Sequence, residues 1–214
     1  MSQGLRVSEI FYSLQGESRT VGIPTVFVRL TGCPLRCSYC DTQYAFSGGE
    51  TLSLDSILQR VESFAPSHVT VTGGEPLAQK GCIALLERLL ARGWDVSLET
   101  SGAIDISAVP AGVSRVLDIK TPGSGEESKN LWQNISQLNA HDQIKFVICN
   151  RQDYDWAKQK LVEMDLIGRC ELLFSPEAQA QNPTELAEWI LADHLPVRFQ
   201  VQLHKLLWGN QRAR

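Results

Sequence analysis

Short runs rich in Val, Ile and Leu alternate along the chain with longer segments whose apolar residues return every three or four positions. The runs read as strands: TVFVRL (25–30), HVTVT (68–72), WDVSLET (94–100), RVLDIK (115–120), QIKFVI (143–148), CELLFS (170–175) and VRFQVQ (197–202), with VSEIFYS near Val7 flanking them. Leu54, Ile57, Leu58 and Val61 stand at i, i+3, i+4 and i+7, which predicts an amphipathic helix. Ile83, Leu86, Leu89 and Leu90 predict another, and 156–164 and 184–195 supply two more, the last opened by Asn182 as cap and Pro183 at its first position. After RVLDIK comes only the polar loop TPGSGEESKN and a short helical stretch, LWQNISQL, so the helical shell is expected to be thin there. Strands alternating with crossover helices predict an α/β fold on a parallel sheet. Periodicity does not choose between a doubly wound sheet and a barrel, but both gather function on the loops after the C-terminal ends of strands.

The 214 residues suit one domain, 1–214, with no internal repeat or dividing linker. An apolar fraction of 43% and a net charge of -4 are those of an ordinary globular chain, without the basic excess that marks nucleic-acid or anionic-membrane binding. The start MSQGLRVSEIF carries no basic stretch followed by an apolar one, and no apolar run approaches the roughly 20 residues that span a bilayer, so the reading is cytoplasmic. Cys82, Cys149 and Cys170 lie in apolar surroundings and are expected as buried thiols, and no disulfide framework is expected in a reducing cytosol.

The remaining three cysteines, Cys33, Cys37 and Cys40, follow the first parallel strand in TGCPLRCSYCDTQ, spaced C-x3-C-x2-C. A closed zinc site needs a fourth ligand, and the nearest imidazole, His68, opens a strand that faces away from the loop. A redox dithiol in CSYC leaves Cys33 without a purpose. A [4Fe-4S] cube held by three thiolates leaves one iron open, which accounts for the odd number. The next strand ends in VTVTGGEP, where Gly73 and Gly74 let backbone approach a ligand and Glu75 offers an acceptor for an ammonium group; a tight strand-to-helix turn is the bland alternative.

The C-x3-C-x2-C spacing with an aromatic before its last cysteine, followed by GGEP after the next strand, resembles the radical S-adenosylmethionine superfamily. The resemblance implies an incomplete (β/α) barrel with a reduced helical shell and a [4Fe-4S] cluster on Cys33, Cys37 and Cys40. It also implies an open iron that chelates S-adenosylmethionine for cleavage to a 5'-deoxyadenosyl radical. By the same likeness the cofactor is bound by Tyr39, Cys40, Asp41, Gly73, Gly74, Glu75, Ser101 of ETSG, and Asp118, Ile119 and Lys120 of DIK.

The segment EIFYSLQGESRTVGIPTVFVRLTGC resembles, within that superfamily, the branch that converts 6-carboxy-5,6,7,8-tetrahydropterin to 7-carboxy-7-deazaguanine with loss of ammonia, a lyase step on the route to queuosine in tRNA. That likeness implies a substrate site of Leu14, Gln15, Gly16, Glu17, Arg29, Thr72 and, from the terminal QLHK, His204 near the active end of the last strand. Arg29 and Glu17 have bland readings too, as a salt bridge and a solvated loop acid. Thr42 coincides with a position that ligates Mg2+, a hard cation that one hydroxyl cannot hold without substrate; its bland reading is a cap for the next turn. A flavodoxin- or ferredoxin-like electron donor and a homodimer are also implied. Two rival functions are a glycyl-radical-enzyme activase, which acts on a protein, and a non-catalytic zinc module. The chain departs from the branch at Ser18, where many relatives have Gly, at DIKTPGSG in place of SPK, and in the terminal QRAR.

Overall fold

The computed structural model describes residues 4–214, so the part of the N-terminal reading that falls on residues 1–3 lies outside it. Nine strands form one sheet in the order β3-β1-β2-β4-β5-β6-β7-β8-β9. They are β1 Leu5–Leu14, β2 Pro24–Leu30, β3 Glu50–Leu52, β4 His68–Gly73, β5 Asp95–Thr100, β6 Ser114–Ile119, β7 Gln143–Ile148, β8 Glu171–Pro176 and β9 Arg198–Phe199. From β2 to β9 every pairing is parallel, and the flanking β1 is antiparallel to both β2 and β3. The order decides the question that periodicity left open. A doubly wound sheet reverses its strand order at a switch point, whereas here each parallel strand adds on the same side of the one before it. With right-handed crossovers that growth puts all the helices on one face and curls the sheet around the other, as an incomplete barrel.

The two faces of the strands differ in chemistry. Val69, Val71, Val96, Leu98, Leu117, Ile144, Phe146 and Ile148 point outward, into a core shared with helices α1 Leu54–Glu62, α2 Cys82–Ala91, α3 Arg151–Glu163 and α4 Pro183–Ala192. The alternate positions, including Thr70, Thr72, Ser97, Glu99, Asp118, Gln143 and Lys145, are polar and face the barrel interior. Such a lining costs free energy unless each group finds a partner or a ligand.

The helices form where their caps and stripes require. Ser53 caps α1 by accepting from the Ser56 N–H, and Asn182 caps α4 by accepting from the Thr184 N–H, with Pro183 next. α2 is turned slightly from its expected stripe: Cys82, Leu85, Leu86 and Leu89 are buried, and Ile83 and Leu90 only half-buried. The connection from β6 to β7 holds three short 3-10 turns and no α-helix, the thin shell expected there. Three expectations are corrected. The run at 197–202 forms only the two-residue β9, because the Gln200 side chain turns inward to bond Ser18, and the chain then enters a short helix, α5 Leu203–Trp208. His204 therefore sits on a helix and not on a strand end. Cys82 is buried, but Cys149 and Cys170 are only half-buried.

Candidate functional site

One cavity of about 810 Å³ opens at the C-terminal ends of the strands. Its lining brings together Cys33, Cys37 and Cys40 with Glu17, Arg29 and His204, and with Thr72, Glu99, Asp118 and Lys145 on the strands. A smaller chamber of about 80 Å³ adjoins it, lined by Leu14, Gln15, Gly16, Glu17, Phe27, Arg29, Glu99 and His204 among others.

On the cysteine side the loop after β2 is wedged against the end of β4. The Glu75 N–H donates to Gly32 O at 2.7 Å, and a Cβ on Gly74 would lie 2.8 Å from the Cys33 Cβ. A Cβ on Gly73 would collide with the Leu30 carbonyl. Both glycines line the cavity, and their lack of a side chain lets the cysteine loop close on the sheet. Glu75 does not line the cavity. Its carboxylate is fully buried and accepts from the Leu77 N–H at 3.0 Å, the Thr100 hydroxyl at 3.0 Å and the Ser101 N–H at 2.7 Å. It locks the first turn after β4 to the end of β5. Ser101 also donates its hydroxyl to Glu75, though it lines the cavity. The Ile119 side chain lies in the outer core.

All six cysteines are free thiols. Burial pushes the Cys37 thiol up to about 11 and raises Cys33, so iron must displace protons to bind there. Among the described residues no three His, Cys, Asp or Glu side chains converge as ligands of a single ion. Thiolates sharing one zinc at about 2.3 Å must crowd together, whereas in a cube each has its own iron. Three thiolates lining one cavity are the donor set of a cluster with one open iron. Beside it the Tyr39 hydroxyl is buried with no hydrogen-bond partner, leaving a donor for a ligand to satisfy. Thr42 does not cap the following turn with its side chain; its hydroxyl donates to Asp41 at 2.7 Å, and Asp41 pairs with Lys205 at 2.8 Å. A hydroxyl that donates there keeps its lone pairs for a cation.

At the QGE turn, Gly16 is needed because a Cβ would collide with the His204 imidazole. The Leu203 N–H donates to Gly16 O at 2.9 Å, which docks α5 against the QGE turn. Ser18 completes that turn with φ 67, in the left-handed region that explains a preference for Gly. Gln200 holds it by accepting from the Ser18 N–H at 2.6 Å and donating to Ser18 O at 2.8 Å. Gln15 is buried and its amide donates to Thr70 and Glu99. Thr72 donates to the other Glu99 oxygen at 2.8 Å. Arg29 is ion-paired to Glu9 through Nε at 2.7 Å, and Tyr44 donates to the same Glu9 oxygen. The pairing uses Nε, and no partner for the two Nη groups is found among the described residues, so the bland reading of Arg29 is met without closing its fork.

Glu17 is neither solvated nor alone. Gln202 donates to its Oε1 at 2.6 Å, and Lys145 bonds its Oε2. Burial alone would raise the Glu17 carboxyl, but Lys145 and His204 beside it hold it below the ordinary value. Lys145 also lies 3.2 Å from Asp118 Oδ2, and Lys120 lies 3.1 Å from Asp118 Oδ1. Glu9, Tyr44, Glu99, Lys145 and Lys205 were not among the sequence candidates. The signal for Lys145 was a lysine inside an otherwise apolar run, and for Glu99 an acid at an alternate strand position. Arg212, in the divergent tail, stacks its guanidinium 3.5 Å from the centre of the Tyr44 ring at the cavity mouth.

Residues 27–114 match the family model of the radical SAM superfamily. The chain is 44% identical over 208 residues to the 7-carboxy-7-deazaguanine synthase of Chlorobaculum tepidum, covering 96% of this chain and 94% of the relative. It is 41% identical to the protein of the same name from Koribacter versatilis, covering 95% and 97%. The fold is similar to the crystal structure of QueE from Escherichia coli, with a TM-score of 0.78 at 23% identity over 94% of this chain and 95% of that one.

Proposed function

The chain belongs to the 7-carboxy-7-deazaguanine synthase family of the radical SAM superfamily, and from that premise we propose how its cavity turns a carboxylated tetrahydropterin into a deazaguanine. Its reaction is that of a carbon-nitrogen lyase: 6-carboxy-5,6,7,8-tetrahydropterin contracts to 7-carboxy-7-deazaguanine and one ring nitrogen leaves as ammonia. The observation that carries the reading is that one cavity takes in the three-cysteine loop together with Glu17, Arg29 and His204.

When bound, the [4Fe-4S] cluster and S-adenosylmethionine supply a hydrogen-abstracting carbon radical. Cys33, Cys37 and Cys40 would hold the cluster. Tyr39, Asp41, Gly73, Gly74, Ser101, Asp118 and Lys120 line the cofactor half of the cavity, and Glu75 and Ile119 support it from behind. The protein's own task is positioning. Glu17, kept ionised, accepts from the amino and amide N–H groups of the pterin edge, beside Gln15 and Gly16 and over Leu14. Arg29 turns its free Nη groups to the substrate carboxylate, a fork-to-carboxylate match, with His204 as a further donor. Thr72, which lines the cavity and donates to Glu99, is a further substrate contact. Mg2+ would take the Thr42 hydroxyl as its protein ligand and complete its shell with substrate and water.

The same reading gives the chain one core domain over 1–214, a flavodoxin- or ferredoxin-like electron donor, a second copy as partner and a cytoplasmic setting. No described helix is long and apolar enough to cross a membrane. The test is anaerobic reconstitution with iron and sulfide, then turnover of the carboxytetrahydropterin with S-adenosylmethionine and dithionite. Deazaguanine absorbance is expected, falling with Thr42→Ala when Mg2+ is present. Cofactor cleavage without deazaguanine would overturn the substrate, and an unchanged Mg2+ response in Thr42→Ala would remove that ligand.

A further inference from the structure

Lys145 has no place in the roles above, yet it occupies the middle of the cavity wall. It sits on β7, 9% exposed, with its ammonium between Glu17, at the end of the QGE turn, and Asp118 on β6. Glu99 on β5 also faces it, and Lys120 lies beyond Asp118. An ammonium has three donors, and a lysine stripped of water holds its charge only where carboxylates answer it. Here burial, which would lower the Lys145 pKa, is overruled by Asp118, Glu17 and Glu99, which raise it well above its ordinary value.

We propose that Lys145 is a positioning residue that fixes the Glu17 carboxylate for a pterin-like edge and ties it to the Asp118–Lys120 pair on the cysteine side. Gln202 holds one Glu17 oxygen and Lys145 the other, so neither can rotate away, and each oxygen keeps one acceptor site. A 2-amino-4-oxopyrimidine edge offers two adjacent N–H donors, the match for a carboxylate fixed in that way. The carboxylate lines the small chamber beside Gln15 and Gly16. The inference rests on the reading that Glu17 contacts the pterin.

The test is anaerobic fluorescence titration of 6-carboxypterin, an oxidised analogue that cannot turn over, into the cluster-loaded chain between pH 5 and 8. Wild type is compared with Glu17→Gln, Lys145→Met and the less disruptive Lys145→Gln. His204 and Gln202 face Glu17 in every variant, so the differences between profiles isolate Lys145. Losing one well-made charge-assisted hydrogen bond lowers affinity by about 10- to 100-fold. Both Lys145 variants are expected to lose that much at pH 7 and to weaken further as the pH falls, because the Glu17 carboxyl rises once its cation is gone. Wild-type affinity and an unchanged profile in a folded Lys145 variant, with binding lost in Glu17→Gln, would overturn the positioning role while leaving the Glu17 reading intact. Wild-type affinity in Glu17→Gln would overturn the reading itself.

Discussion

Strands β6 and β7 carry two buried ion networks, and the difference between them separates folding from function. At the N-terminal end, Asp142 is fully buried against Arg115, which is 4% exposed. Asp142 accepts from the Arg115 N–H at 2.9 Å, from Nε at 3.1 Å, from Nη2 at 2.5 Å and from the Asn139 N–H at 2.8 Å. Four donors fall on its carboxylate, three of them on Oδ2, neither residue lines the two cavities described, and the pair clamps the two strand starts together. At the C-terminal end, Glu17, Lys145, Asp118 and Lys120 alternate in charge along the cavity wall and keep acceptor and donor capacity for a ligand. A saturated network holds a fold, and an unsaturated one facing a void holds something that arrives later.

The comparison breaks most visibly at Asp142. Asp142→Ala leaves the Arg115 guanidinium buried without its partner, and breaking a buried pair in that way costs about 3–5 kcal/mol. Chemical denaturation is expected to read that loss, while the fraction still folded binds 6-carboxypterin with wild-type affinity. Weakened binding in the folded fraction would mean that the two ends are not separate.

Acid sharpens the contrast next. Lys145 with His204 at Glu17, and Lys120 with Lys145 at Asp118, override burial to hold the two carboxyls below their ordinary values, and Lys145 itself is raised. The carboxyl contributions are present above their unfolded pKa of about 4 and are lost as pH falls through the lower folded values. The Lys145 contribution is present below about 10.5 and lost as pH rises beyond it. The melting-temperature deficit of Lys145→Met relative to wild type is therefore expected to be largest near neutrality and to shrink below about pH 4. A deficit constant from pH 7 to 3 would show that packing, and not charge, accounts for it.

The smallest expected effect is at the turn that presents Glu17. A non-Gly residue in the left-handed region costs about 1–2 kcal/mol, and Gly returns part of that through its freer unfolded chain. Ser18→Gly also gives up the hydroxyl contact with Thr20 at 3.0 Å. A gain of up to about 1 kcal/mol is expected in denaturant unfolding, with the pterin affinity unchanged. A clear loss would mean that the hydroxyl holds the turn.

The sheet was legible because its outward positions are Val, Ile and Leu, and because helix caps such as Ser53 and Asn182 are local devices. The cysteine loop and the QGE turn were legible as motifs, since their residues are neighbours in sequence. What lies between them was not. Glu75 is legible as an acceptor, but the direction of its carboxylate is fixed by Thr100 and Ser101, which arrive from another strand. Arg29 meets Glu9 only through the antiparallel register of β1 and β2, which no local pattern encodes. The alternation of Thr70 with Thr72, Ser97 with Glu99 and Gln143 with Lys145 was available as a signal that the inner face is polar, and it was hidden by the apolar residues between them.

The separation of the two networks is tested most directly by thermal unfolding of the double variant Glu17→Gln/Lys145→Met, with and without 6-carboxypterin. A ligand at about 100 times its Kd stabilises a folded chain by about 2.7 kcal/mol, enough to raise wild-type Tm by several degrees. The account predicts that the double variant loses the ligand-induced rise and keeps a ligand-free Tm well above that of Asp142→Ala, because Asp118 still has Lys120 as its cation. A ligand-free Tm that falls as far as that of Asp142→Ala, with the rise retained, would contradict it.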